Sequence, residues 1–314
     1  MNWEAYKNIN GVPLLQLFPD ANVLSAMKYE PRPNDVIVVT YPKCGTTWTG
    51  YIVSNILTKG SPPTDPGDYM LYAPYIELLG AEAAIRPARQ GPLITHLPLK
   101  NMVFSKTAKY VYVTRNPYDC CVSFYYFLKG MTPKSYADVS FESFFDNFIS
   151  GKVVYGGYFD HLLVWYNLRD EANVLFLTYE QLKQDAEGMI LKIADFLGED
   201  HGTSLREDRG LLDKILESTS LRNMKAVFDY SPLERIRSLM ELSPEKSLKS
   251  FDAFRRSSAT RGEMHEGAGY VRKGIVGDWK MHFTQKQVTR MKQWIGENTE
   301  GTDVMDLWNH LDLP

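Results

Sequence analysis

The sequence predicts an α/β fold, a single domain over residues 1–314 with a parallel sheet covered by helices on both faces. Three observations predict it. Short, continuously apolar β-branched runs recur along the chain. Each is followed by a polar turn and a segment with helical spacing, and such alternation builds parallel βαβ units. Finally, no Pro/Gly/Ser-rich linker cuts the chain in two.

The first strand is Val36–Thr40, introduced by the turn-forming Pro33-Asn34-Asp35. A loop over 41–45 leads to Trp48, Tyr51, Ile52 and Ile56 at helical spacing, with Gly60 as a stop. Leu93–Thr95 is a short strand, and residues 110–114 form another. Asn116 then caps a helix that Pro117 opens and Gly130 ends. Val174–Thr178 is followed by one helix over 180–196, stopping at Gly198. Stretches 60–68 and 198–210 read as polar turns. Segment 241–269 is rich in Ser, Arg and Glu without a period, which marks a long functional loop. A last short helix over 285–294 ends at Gly296.

Composition narrows the function. Hydrophobic residues make up 44% and the net charge is −3, so no global basic field argues for nucleic acid or an acidic membrane. No apolar run approaches the roughly 20 residues of a membrane helix. The N-terminus lacks the order of a signal peptide. Cys44, Cys120 and Cys121 fit neither a disulfide framework nor a paired zinc spacing. A cytoplasmic protein is the expectation.

Ligands of open α/β sheets bind beyond the carboxyl ends of the strands. Three segments lie there. Thr40-Tyr41-Pro42-Lys43-Cys44-Gly45-Thr46-Thr47-Trp48 opens a helix and reads as a P-loop-like anion cradle: free backbone N–H groups and the helix dipole favour phosphate. Lys43 adds a point charge, and Thr46 and Thr47 add hydroxyl donors. The order is not that of nucleotide triphosphatases, because Lys43 precedes Gly45. Arg115 leaves the next strand at a helix entrance, with Ser123 about two turns on, and arginine suits bidentate phosphate contact. Arg272, Lys273, Gly274 and Gly277 form a flexible basic loop able to close over an anion. Strand ends carry Thr40, Thr114 and Thr178 where triphosphatases commonly place a magnesium-binding acid, which disfavours metal-assisted phosphoryl transfer. Taken singly, each segment also reads as an ordinary turn or a solvated charge run.

Together the segments resemble the cytosolic sulfotransferase family. The Tyr-Pro-Lys-(Ser/Cys)-Gly-Thr-Thr-Trp loop is matched by residues 41–48, the Arg-Asn strand end with its later serine by Arg115, Asn116 and Ser123, and the closing Arg-Lys-Gly-x-x-Gly-Asp-Trp-Lys-x-x-Phe-Thr signature by residues 272–284. The resemblance implies a central parallel sheet of about five strands. It implies sulfuryl transfer from 3′-phosphoadenosine 5′-phosphosulfate to an acceptor hydroxyl or amine, without a metal, leaving 3′-phosphoadenosine 5′-phosphate. By position it implies that Lys43, Cys44, Gly45, Thr46 and Thr47 hold the 5′-phosphosulfate. Arg115, Ser123, Arg272, Lys273 and Gly274 would hold the 3′-phosphate. Trp48, Tyr179, Thr219 and Leu221 would surround the adenine, Leu221 standing where the family often has an aromatic residue.

His96, in Thr95-His96-Leu97-Pro98, matches the family's catalytic base, while His161, His265 and His282 match no catalytic position. A neutral imidazole accepts a hydroxyl proton at neutral pH, and Lys43 offsets charge on the leaving oxygen. Two departures stand out. Ile94 replaces a lysine common two residues before the histidine. Gln285 and Thr289 replace the valine and glutamate of the family's dimerisation segment, leaving monomer and homodimer both open. By rough alignment Tyr75, Leu78, Phe127 and the 241–269 loop line the acceptor pocket, whose apolar, aromatic character suits a phenol, a catecholamine or a steroid. A small-molecule or nucleotide kinase, and a non-catalytic nucleotide-binding protein on the same fold, are the alternatives.

Overall fold

The computed structural model describes residues 6–87, 89–131, 134, 138–228, 230, 232–243, 245–252 and 265–314. It begins with an antiparallel hairpin, β1 (Tyr6–Ile9) and β2 (Val12–Leu15). Asn10 and Gly11 turn it, both with positive φ (49° and 83°), as an Asn-Gly hairpin turn requires. The central sheet is separate and parallel. Its strands are β3 (Val36–Thr40), β4 (Leu93–Thr95), β5 (Lys109–Thr114) and β6 (Val174–Thr178), in the order β4-β3-β5-β6.

The sheet is buried on both faces, as the unbroken apolar runs require. Along β5 the side chains alternate between two cores. Tyr110 and Tyr112 face the cluster containing Trp165, and Val111 and Val113 face the one containing Ile52 and Ile190. Each fully buried large apolar side chain contributes about 1.5–3 kcal/mol. No helix among the described residues is long and apolar enough to cross a membrane.

The sheet has four strands among the described residues rather than about five. A single parallel bridge from Tyr75 to Ile94 extends its β4 edge by one residue. The helix expected over 180–196 is two, Tyr179–Gln184 and Ala186–Leu197, broken where Asp185 turns its side chain to cap the second through the Gly188 N–H. The stretch 198–210 is mostly helical, not turn. Glu199–Glu207 and Arg209–Ser218 bury a narrow stripe of Leu205, Leu212 and Ile215, which the surrounding charge conceals in the sequence. The last helix runs past Gly296 to Thr299. A mid-helix glycine costs only about 1 kcal/mol.

Of the 241–269 loop, residues 244 and 253–264 lie outside the described residues. The described parts dock on the body. Lys246 pairs with Asp68 at 2.7 Å, the Ser250 N–H donates to Glu82 at 3.0 Å, and the Ala268 N–H donates to the Tyr126 carbonyl at 2.9 Å.

Candidate active site

Strand register places the site. Val39 pairs with Thr95, Thr40 with Val113, and Thr114 with Thr178, so all four strands end in threonine at one edge. The segments leaving that edge carry Lys43, His96, Arg115 and, at the first position of its helix, Tyr179. All four line one cavity of about 230 Å³.

The first loop turns sharply. Lys43 (φ 68°) and Gly45 (φ 110°) both take left-handed backbone, and a Cβ on Gly45 would lie 3.0 Å from Tyr179 Cδ2. Gly45 thus serves both the turn and the close approach of Tyr179. The helix Thr46–Leu57 starts there without a side-chain cap, which leaves its first N–H groups for a ligand. Thr46 and Thr40 share a hydroxyl hydrogen bond of 2.6 Å. Lys43 Nζ sits 4.2 Å above the Phe127 ring and 3.4 Å from the Tyr270 carbonyl oxygen. Burial, with Arg115 and Arg272 adding, pushes its pKa down to about 7. Cys44 contributes only backbone to this loop. Its buried thiol lies 3.7 Å from Cys120 Sγ, away from the cavity.

The second and third segments meet through Asp119. Its carboxylate accepts the backbone N–H groups of Gly277 (2.7 Å) and Trp279 (3.0 Å), clamping the C-terminal basic loop onto the helix Pro117–Gly130. Arg115 is buried, lies 4.4 Å over the Tyr179 ring and donates to the Ile275 carbonyl at 2.9 Å. Asp278 holds Arg272 at 2.5 Å and Lys273 at 2.8 Å. Yet the Nε–H groups of both Arg115 and Arg272 are buried without a hydrogen-bond partner among the described residues. Two guanidinium side chains lining one cavity fit an oxyanion. Ser123 lines the same cavity.

Beside them lie the residues expected around an adenine. Trp48 Nε1 donates to the Thr219 carbonyl at 2.9 Å, and its ring meets Tyr179 edge-on at 5.6 Å. Leu221 packs on Gly274, where a Cβ would come within 2.7 Å of Leu221 Cδ1. Trp48, Tyr179, Thr219, Leu221 and Gly274 all line the cavity.

His96 follows β4. Its Nδ1 lies 2.8 Å from the Thr40 carbonyl oxygen and 3.2 Å from the Thr40 hydroxyl. A carbonyl only accepts, so Nδ1 carries the proton and Nε2 the lone pair. Burial pushes the imidazole pKa down to about 4, with Lys43 adding to the shift. The ring is therefore neutral at physiological pH. His161, which is fully buried, has Nδ1 3.0 Å from the Tyr112 hydroxyl oxygen and lies outside the cavity lining.

Tyr75, Leu78 and Phe127 line the rest of the cavity, joined by Phe18, Phe124 and Tyr155. Ile94 lines it too, against Gly50 of the first-loop helix. Three carboxylates escaped sequence reasoning. Asp119 and Glu180 hold the loops from behind, Glu180 by accepting from Asn116 (2.7 Å) and from Trp308 Nε1 (2.8 Å). The buried Glu77 accepts the His96 backbone N–H at 2.6 Å. The partners that give these carboxylates their role in the site are 19 to 160 residues away, although Asp119 also accepts from Asn116 Nδ2 at 3.0 Å.

Comparison with known proteins agrees with this arrangement. The sulfotransferase domain family matches residues 33–303. Human sulfotransferase 1C2 is 32% identical over 310 residues, covering 95% of this chain and 94% of that one. Rabbit amine sulfotransferase is 32% identical over 310 residues, covering 96% and 93%. The crystal structure of mouse sulfotransferase SULT7A1 complexed with PAP superposes with a TM-score of 0.71 at 24% identity, over 98% of each chain. This chain therefore belongs to the sulfotransferase family and is a sulfotransferase.

Proposed function

We propose that this chain transfers a sulfuryl group from 3′-phosphoadenosine 5′-phosphosulfate to the hydroxyl of a small phenolic, catecholamine or steroid-like acceptor. One observation carries the reading: a single cavity holds a cationic end, an aromatic apolar end and, touching both, His96. The imidazole reaches the cationic end through Thr40, whose hydroxyl meets Thr46 of the cradle. It reaches the apolar end through ring contacts with Tyr75 and Tyr155.

Each residue then has a task. The 43–47 loop holds the 5′-phosphosulfate with backbone N–H groups and the Lys43 ammonium. The guanidinium groups of Arg115 and Arg272, with Ser123, hold the 3′-phosphate. Trp48, Tyr179, Thr219 and Leu221 enclose the base. His96 Nε2 takes the acceptor proton as the acceptor oxygen attacks in line, and Lys43 stabilises the oxygen that leaves. An amine acceptor fits the same geometry, and a cytoplasmic setting suits the free, buried thiols of Cys44, Cys120 and Cys121.

The test is an acceptor panel with sulfur-labelled donor. Label appearing on phenols, catechols or hydroxysteroids supports the reading. Labelled donor that binds yet transfers to no hydroxyl or amine overturns it.

A further inference from the structure

The turn 153–157 carries a residue that the sequence gives no reason to notice. Tyr155 is not glycine, yet its φ is 68°, in the left-handed region that costs a bulky side chain of order 1–3 kcal/mol. The fold holds it there from both sides. Its N–H donates to the Pro13 carbonyl of β2 at 2.8 Å, and the neighbouring Gly156 carbonyl accepts from the Tyr41 hydroxyl at 2.9 Å. So held, its ring enters the cavity and meets the His96 imidazole edge-on at 5.3 Å. Tyr75 meets the same imidazole at 5.2 Å, also edge-on. The two tyrosine hydroxyls are hydrogen-bonded to each other.

We infer that Tyr155 is a positioning residue: with Tyr75 it forms an aromatic clamp that holds the His96 ring and covers part of it. The clamp completes what Thr40 begins. One bond at Nδ1 fixes the tautomer but leaves the ring free to swing about that contact, and two aromatic rings remove that freedom. Strained backbone is retained where the surroundings over-determine it, and such positions cluster at active sites. The inference rests on the proposed role of His96 as base.

The groups facing His96 are few. Lys43 stands on the first loop, Glu77 on the helical turn Ile76–Leu79 below, Tyr75 beside that turn, and His161 on the helix Tyr158–Asn167 behind. Burial holds both clamp hydroxyls far above their ordinary pKa, so they stay neutral. Burial is also the largest cause of the low imidazole pKa. Opening the clamp should therefore let that pKa climb.

The test uses the full chain as Tyr155→Gly, Tyr155→Phe and Tyr75→Ala, with His96→Asn to assign the His96 signal in an imidazole proton NMR titration. Glycine suits a φ of 68°, so Tyr155→Gly removes the ring without adding backbone strain. Affinity for 3′-phosphoadenosine 5′-phosphate confirms that each variant is folded. Tyr155→Gly and Tyr75→Ala should raise the His96 pKa by about one unit or more, while Tyr155→Phe, which keeps the ring, should leave it low. In Tyr155→Gly, kcat should also fall about tenfold or more at unchanged affinity for that nucleotide. A His96 that titrates alike in wild type and a folded Tyr155→Gly, or a Tyr155→Phe that behaves like Tyr155→Gly, overturns the clamp. Undiminished turnover in His96→Asn overturns the base assignment instead, and the titration separates the two failures.

Discussion

The His96 imidazole is bonded through Nδ1 to the carbonyl of Thr40, 2.8 Å away, so the ring is tied to the strand that feeds the Lys43 loop. In the proposed reaction, proton acceptor and anion cradle thus share one piece of backbone but meet different substrates. This allows their roles to be separated by mutation.

His96→Ala removes the proton acceptor alone. Single-turnover transfer should fall by about 10²–10⁴, with the affinity for 3′-phosphoadenosine 5′-phosphate almost unchanged by calorimetry. Lys43→Ala should slow transfer and weaken nucleotide binding together, by about 1.5–3 kcal/mol for a charge-assisted contact. Loss of nucleotide affinity in His96→Ala would show that the histidine holds the cradle together rather than taking a proton.

A second prediction concerns the two orphaned guanidinium donors. Arg115 and Arg272 both line the cavity, and the Nε–H group of each is buried without a hydrogen-bond partner among the described residues. If a 3′-phosphate fills both, 3′-phosphoadenosine 5′-phosphate should bind about a hundredfold or more tighter than AMP, the worth of two charge-assisted hydrogen bonds. Arg115→Ala should shrink that ratio and leave AMP affinity nearly as before. Equal affinities for the two nucleotides in the parent protein would remove the assignment.

Much of this site is legible in the sequence, because the elements that carry it are local. Val36–Thr40 announces a buried strand by its composition, and the turn at Lys43 and Gly45 announces the cradle by its spacing. Asn116 and Pro117 mark their helix by capping chemistry, and Asn116 does accept from the Asp119 N–H. What the sequence hides is long-range. Asp119 reads as a first-turn helix acid, yet it anchors Gly277 and Trp279. Glu77 and Tyr155 acquire meaning only when the chain brings them to His96. The β1–β2 hairpin is a different omission, since Asn10-Gly11 between apolar residues is a local signal that had been there to read.

Lys43 supplies a third prediction through its low pKa of about 7. A phosphosulfate or phosphate beside it restores the ordinary lysine value, so binding must draw a proton from solvent. Uptake should be about 0.5 proton at pH 7 and about 0.9 at pH 8, and affinity should weaken as pH rises above 7. Calorimetry of 3′-phosphoadenosine 5′-phosphate in buffers of differing ionisation enthalpy measures this directly. At pH 8 the phosphates are already fully ionised, since their second pKa lies near 6, and do not contribute. Lys43→Met should abolish the uptake. Heats that are independent of buffer at pH 8 would mean that the lysine is charged before the nucleotide arrives.

The last prediction concerns Glu77, and it is one of stability rather than rate. The carboxyl is fully buried and burial pushes its pKa up to about 7, against an ordinary 4.5, despite the N–H groups it accepts. One oxygen takes the His96 N–H at 2.6 Å, and the other is buried without a hydrogen-bond partner among the described residues. Between pH 4.5 and 7 the folded protein keeps a proton that the unfolded chain has released, so this group lowers stability as pH rises through that window. Above pH 7 the cost levels off, at roughly 3–3.5 kcal/mol. Glu77→Gln keeps an oxygen for the His96 N–H and cannot ionise. Its amide also brings a donor that costs something in this pocket, but that cost is the same at every pH. The quantity to measure is therefore the change in the stability difference with pH, by urea unfolding at pH 5 and pH 8. Relative to the parent, Glu77→Gln should gain on going to pH 8. A difference that stays constant would show that the carboxyl is ionised throughout, and that the N–H groups around it outweigh its burial.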